Sequence, residues 1–301
     1  MTTAPTLLIL GSHGQVGWEL QRALAPIGAV VAWGRKEADL SQSADLARKI
    51  ESLAPTLIIN AAAYTAVDKA ESEPNLARAI NAEAPAAIAQ AATRCGVRLI
   101  HYSTDYVFSG DLDRPYQETD ATAPRSVYGS TKRAGEEGVL AASTDHFIFR
   151  TEWVYGRHGG NFVKTILRLA RERDSLRVVA DQFGAPTPAA LIADVTAHVV
   201  ARLLRTDTPT PPGGIYHLTA SGSTSWHGFA QAIVDQALIL GAEFKLTADA
   251  IEAIPTSGYP LPATRPANSR LDCSKLESAF GLHLPAWQTL LPNILADILT
   301  P

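Results

Sequence analysis

Thr6-Leu7-Leu8-Ile9-Leu10-Gly11-Ser12-His13-Gly14-Gln15-Val16-Gly17 opens the chain with an aliphatic run that stops at a glycine. Apolar residues in unbroken succession predict a strand buried on both faces, as in a parallel sheet. A strand with one wet face would alternate with polar residues instead. The glycines then fall as G-x-x-G-x-x-G. At a strand–turn–helix junction the first permits the sharp turn, the second lets backbone approach a pyrophosphate, and the third lets the helix pack close on the strand. The helix expected over 15–25 turns its free N–H groups toward the phosphates. Gly11, Gly14, Gln15, Val16 and Gly17 are thus candidate dinucleotide-binding residues, the plain alternative being an ordinary tight turn. His13 is read as a loop residue with no chemical role.

The same alternation continues downstream. Strands are expected over 29–33, 56–60, 97–102 and 147–151. Helices are expected over 43–53, with Ser43 as N-cap, over 74–95, opened by Pro74 and stopped by Gly96, and over 130–141. The pattern predicts an α/β fold, a Rossmann-type doubly wound parallel sheet. The last third is less regular, and its proline-rich runs over 208–214 and 255–266 read as loops. The expected division is a dinucleotide-binding domain over 1–155, to which later segments can return, and a smaller, mainly substrate-binding domain over 156–301. A last helix is expected over 289–299, packed by Trp287.

Of the 301 residues 46% are hydrophobic and 19% charged, enough for a sizeable core and against wholesale disorder. A formal charge of −4 argues against a nucleic-acid partner. No apolar run is long enough to span a membrane, and the polar start over 1–6 lacks the basic region of a secretion signal. Cys95 and Cys273 stand far apart and read as reduced thiols of a cytoplasmic protein.

Where a carboxylate would normally close the second strand and bind a ribose 2′-hydroxyl, the chain reads Trp33-Gly34-Arg35-Lys36. Two cations there favour the 2′-phosphate of NADPH over NADH, and Arg35 can clamp a phosphate bidentately. A solvated surface pair is the alternative, and NADH remains open as a second cofactor. Asp39 and Leu40 are placed to reach the adenine. After the third strand, Ala62, Ala63 and Tyr64 leave room for the cofactor against backbone.

Tyr128-Gly129-Ser130-Thr131-Lys132 puts a phenol and an ammonium on one face of a helix. Hydride addition to a ketone leaves an alkoxide that needs a proton. A phenol titrating near pH 10 is a poor acid–base catalyst near neutrality unless a neighbouring ammonium lowers it. Tyr102-Ser103-Thr104-Asp105 ends the fourth strand, the end at which open α/β sheets bind ligands. Thr104 there is placed to bond the carbonyl oxygen. Thr104, Tyr128 and Lys132 are the catalytic candidates. Tyr128 and Lys132 also count as cofactor contacts.

On these elements the chain resembles the extended short-chain dehydrogenases/reductases and, within them, the dTDP-4-dehydrorhamnose reductase family. The resemblance extends through Gly14-Gln15-Val16-Gly17-Trp18-Glu19-Leu20, the stretches 60–73, 102–108 and 127–136, Arg150-Thr151-Glu152-Trp153-Val154-Tyr155-Gly156, 181–187, and Arg265-Pro266-Ala267-Asn268-Ser269. It implies reduction of the C4 ketone of a dTDP-linked 4-keto-6-deoxy sugar with NADPH. It also implies a proton-relaying Tyr128 with Lys132 and Thr104, substrate contacts from Thr104, Asp105 and Trp153, and a monomer or homodimer. Trp153 as a packing aromatic and Arg265 as a structural arginine, rather than a partner for the substrate diphosphate, stay open. Two departures stand out. Glu152 occupies the family's usual serine position, and the acid at the end of the second strand is missing. Some relatives bridge subunits with a metal, but no carboxylate cluster suggests one here, so no metal is expected. Asp68, Lys69 and Glu71 read as a solvated helix start, and His217 and His227 as structural. A reductase or epimerase of another nucleotide sugar is the nearest rival. A non-catalytic regulatory subunit is disfavoured by the intact tyrosine, lysine and glycine loop.

Overall fold

The structure is a computed structural model that describes residues 4–300. Part of the polar start over 1–6 lies outside the described residues. Six parallel strands form the central sheet: β1 (Thr6–Leu10), β2 (Ala29–Trp33), β3 (Leu57–Asn60), β4 (Arg98–Thr104), β5 (Phe147–Thr151) and β6 (Gly214–His217), in the order β6-β5-β4-β3-β1-β2. The opening aliphatic run is wet on neither side. Leu7 and Ile9 join one core with helices Gln15–Leu24 and Ala189–Leu203. Leu8 and Leu10 join the other with Ser43–Leu53 and Ala84–Arg94. The order of strands reverses between β1 and β3, and ligands bind at such a switch point beyond the carboxyl ends of the strands. The glycine loop leaves β1 there, and the Ala61-Ala62-Ala63 stretch leaves β3 beside it.

Two differences from the sequence reading bear on the site. The catalytic helix runs Val127–Ala142, starting three residues earlier than expected. Ser126 caps it by accepting from the Gly129 N–H at 3.1 Å, and Glu71 accepts from the Val127 N–H at 2.8 Å. Tyr128 is thereby fixed in the first turn. The long helix over 74–94 contains a π-turn at Ala79–Glu83, the wide-turn form that recurs at functional sites. It turns Asn81 inward, where its amide bonds both backbone groups of Tyr64 and the Thr131 hydroxyl. The loop after β3 and the catalytic helix are tied through that one side chain.

The later half of the chain contributes to both parts of the molecule. β6 emerges directly from the proline-rich run and extends the sheet beside β5. Phe162–Glu172, Trp226–Ile239 and Trp287–Leu299 instead build a second apolar core around Ile166, Phe229, Ile233 and Leu291. A small parallel pair, Leu176–Val179 with Ile251–Ile254, closes that core. Among the described residues, no helix is long and apolar enough to cross a membrane.

Candidate active site

A cleft of about 640 Å³ lies across the carboxyl ends of β1 and β3. Of the sequence-derived cofactor residues, Gly11, Gly14, Gln15, Val16, Arg35, Asp39, Leu40, Ala62, Ala63, Tyr64, Tyr128 and Lys132 all line it. Gly17 does not. It is buried at the helix–strand contact, where a methyl would run into the Gly11 carbonyl oxygen. Gly11 has φ +87°, and a side chain there would lie 2.7 Å from the Ala62 backbone nitrogen, so glycine lets the loop after β1 pack directly on the loop after β3. The Asp39 carboxylate is held by the backbone N–H and hydroxyl of Ser41 at 2.9 and 2.8 Å. Those bonds, with the Arg35 charge as a smaller contribution, keep it below the ordinary carboxylate range. Glu37 accepts from the Gly34 N–H at 3.0 Å. Arg35 is exposed at the cleft edge.

Tyr128 and Lys132 lie one turn apart in this cleft. Tyr106 meets the Tyr128 ring edge-on at 5.4 Å. Burial pushes the phenol up to about 12; the Thr104 hydroxyl opposes the rise and the Asp105 charge adds to it. The sequence reading expected the lysine to bring the phenol down toward neutrality. In the structure burial outweighs any such effect, and the phenol keeps its proton at working pH. Lys132 is 2% exposed and donates to the Tyr102 carbonyl at 2.6 Å. Burial pulls it down to about 8 against a small opposing pull from Glu136.

The Thr104 hydroxyl donates to Asp105 Oδ1 at 2.8 Å and accepts from the Tyr106 N–H at 3.2 Å. Ser269, from the last third of the chain, donates to the other Asp105 oxygen at 2.5 Å. Burial nonetheless lifts this carboxyl to about 6. Glu152 lies nearby and is 2% exposed, with neither carboxyl oxygen hydrogen-bonded. It packs against Gly184, where any larger residue would strike its Oε2. Burial first, then the Asp105 charge, raise Glu152 well above the usual carboxylate range.

A carboxyl raised on folding binds its proton more tightly in the native state. Its favourable contribution is full below the ordinary carboxylate range and is lost as pH rises toward its folded titration point. Glu152→Gln is therefore expected to flatten the loss of stability as pH rises through and above the ordinary carboxylate range. Denaturant unfolding of both proteins across that range checks this, and parallel slopes would refute it.

Beyond Tyr106 a second cleft, of about 540 Å³, is lined by Phe162, Ile166, Val178, Trp226, Tyr259 and Arg265 among others. The proline-rich loop over 255–266 forms one of its walls. Arg265 reaches it but also grips Asp68 with two bonds of 2.9 and 2.6 Å. Asp68 and Lys69 do lie on a short helix, Val67–Ala70, with Lys69 exposed and paired with Glu73 at 2.9 Å, but the segment also makes ties: Asp68 holds Arg265 and Glu71 caps the catalytic helix. Trp153 takes φ +46°, a left-handed conformation that is strained for a bulky residue. Its indole stacks face to face on Trp226, 3.5 Å between centroids at 11°. Trp153 therefore stands behind Trp226, which forms the cleft wall.

Sequence reasoning passed over Asn60, His101, Asn81, Trp226 and Ser269. Ser126 ahead of the catalytic helix was a readable N-cap signal. The others act through contacts distant in sequence. His217 bonds the Asp272 carbonyl and His227 the Ile251 carbonyl, as structural histidines do. Among the described residues no group of three or more His, Cys, Asp or Glu is placed to hold a metal ion.

Residues 5–300 match the family model described as RmlD substrate binding domain. The chain is similar to the dTDP-4-dehydrorhamnose reductase of Salmonella typhimurium, 49% identical over 298 residues and covering 98% of each protein. It is also similar to that of Burkholderia thailandensis, at 48% identity over 98% of this chain and 99% of the relative. Among solved structures it resembles the dTDP-4-dehydrorhamnose reductase from Bacillus anthracis in complex with NADP, with a TM-score of 0.89 and 34% identity, covering 98% of this chain and all of that one.

Proposed function

The chain belongs to the dTDP-4-dehydrorhamnose reductase family, and from that premise we propose that it reduces the C4 ketone of dTDP-4-dehydro-L-rhamnose (dTDP-6-deoxy-L-lyxo-4-hexulose) with NADPH to give dTDP-L-rhamnose. The observation that carries the proposal is the convergence of the glycine loop, Tyr128 and Lys132 on one cleft at the switch point of the sheet. The residues fit a dinucleotide. The glycine loop lines the cleft, and the free N–H groups at the start of helix Gln15–Leu24 lie beside it, as a pyrophosphate needs. Gly11, Gly14, Gln15 and Val16 would hold the pyrophosphate, Asp39 and Leu40 the adenine, Ala62, Ala63 and Tyr64 the middle of the molecule, and Lys132 the nicotinamide ribose.

When bound, the reduced nicotinamide supplies a hydride. Tyr128 holds the proton that the developing alkoxide takes up, and a phenol raised by burial is fully in that acid form near neutrality. Thr104 reaches the carbonyl oxygen by turning its hydroxyl away from Asp105, which remains held by Ser269. The second cleft, aromatic on one side and adjoining Tyr106, suits the nucleotide of the substrate. Asp105 and Trp153 are assigned to the sugar, Trp153 by backing Trp226, and Arg265 to the diphosphate. On this reading 1–155 carries the cofactor, 156–301 mainly the substrate, and the two free cysteines suit a cytoplasmic enzyme.

A reductase consumes one NADPH per sugar, whereas an epimerase regenerates its cofactor in place. Stoichiometric loss of NADPH absorbance against added keto sugar supports the proposal, and turnover without net loss refutes it. Arg35→Ala is expected to raise KM for NADPH more than KM for NADH, since Arg35 alone of the two cations lines the cleft, where a 2′-phosphate would need it. Equal changes in the two constants would remove Arg35 from cofactor choice.

A further inference from the structure

Behind the catalytic pair lies a chain of polar groups that the reaction above does not use. It runs from Asn60 at the end of β3 to His101 in β4 and on to Lys132. Asn60 and His101 are wholly buried. Donor and acceptor roles along the chain follow from the one end where they are fixed. The Ala62 backbone N–H can only donate, and it bonds Asn60 Oδ1 at 3.1 Å. The other end of that amide is then its NH2 group, which also only donates. It faces His101 Nδ1 at 3.1 Å, so Nδ1 accepts and carries no hydrogen. Burial, the larger cause, pushes His101 well below its ordinary range, and a bare Nδ1 is itself incompatible with an imidazolium, so the ring is neutral. A neutral imidazole with a bare Nδ1 has its hydrogen on Nε2. That N–H points at Lys132 Nζ, 3.3 Å away. An ammonium has three hydrogens and no lone pair, and cannot accept it. An amine can accept from His101 and still donate to the Tyr102 carbonyl.

We propose that His101, oriented by Asn60, is a positioning residue that stabilises the neutral amine form of Lys132 against the ammonium. The inference rests on the role given to Lys132 beside Tyr128. The other groups around Lys132 leave this standing. Glu136, one turn further along the helix, favours the ammonium, but its carboxylate is engaged by both arms of Arg150 from β5. Tyr128, one turn earlier, keeps its proton and is uncharged. Ligand hydroxyls that accept from Nζ would favour the ammonium, the form that Tyr128 would use.

Nitrogen NMR on the ligand-free full chain, labelled at histidine and lysine, tests this. His101 is expected to carry its hydrogen on Nε2, and Lys132 to titrate near 8 rather than at the ordinary value of about 10.4. His101→Gln can turn a carbonyl toward Nζ, and is expected to raise the Lys132 midpoint by about one pH unit or more. A hydrogen on Nδ1, an ordinary lysine titration in the wild type, or an unmoved midpoint in His101→Gln overturns the proposal. If the variant does not fold, the wild-type tautomer and titration still decide it. Lys132→Ala keeps the two readings apart: undiminished hydride transfer in that variant would remove Lys132 from catalysis while leaving the tautomer result intact.

Discussion

Tyr128→Phe is expected to lower kcat by about 10²–10⁴-fold, the usual contribution of a positioned general acid, with KM and NADPH affinity little changed. The variant keeps the ring that meets Tyr106 edge-on and the first helical turn fixed by Ser126 and Glu71. Only the hydroxyl is lost. Lys132→Ala differs, because it empties a buried position and removes a ribose contact, so cofactor affinity falls together with kcat. The double variant is expected to be far from additive, since the two residues act as one unit. Single-turnover oxidation of NADPH is the readout. Transfer within about twofold of wild type in Tyr128→Phe would take the phenol out of the mechanism, and Asp105 would be the next group to test.

Glu136→Ala is expected to cost about 3–5 kcal/mol of stability, the usual price of leaving a buried charge without its partner. Glu136 and Arg150 form a two-armed pair with bonds of 2.8 and 2.6 Å, and each side chain is 3% exposed. The guanidinium also lies over the Phe108 ring at 4.9 Å. The pair joins the catalytic helix to β5, one turn beyond Lys132. Replacing both residues by methionine is expected to be milder than Glu136→Ala, because no charge is then stranded. Equilibrium unfolding of the three variants checks this. A loss below about 1 kcal/mol in Glu136→Ala would mean that water reaches the site and solvates the arginine.

Local pattern carried much of this molecule into view. The unbroken Leu7–Leu10 run announced a strand covered on both faces, and its alternate residues do enter two separate cores. The G-x-x-G-x-x-G spacing located the cleft, because Gly11 and Gly17 answer backbone demands that other residues cannot meet there. Tyr128 and Lys132 were legible from helical spacing. β6 was hidden because Gly214-Ile215-Tyr216-His217 is short and follows a proline-rich run; only its neighbour β5 makes it a strand. The height of the Tyr128 titration was hidden too, since burial depends on the whole surrounding fold. Asn60, His101 and Ser269 matter through partners brought close by the sheet order, and no local window contains that information. Glu152 stands out in the sequence only as a departure at the family's serine position; that its side chain is buried against Gly184 follows from contacts distant in sequence.

The central claim is that this cleft passes a hydride to C4 of a dTDP-linked keto sugar while Tyr128 protonates the oxygen. Its most direct test is to incubate the protein with dTDP-4-dehydro-L-rhamnose and NADPH carrying deuterium at the transferable position of the nicotinamide, and to identify the product by NMR. The account predicts dTDP-L-rhamnose with the deuterium on C4. A sugar that keeps its ketone, or an alcohol at C4 with no deuterium there, would contradict it.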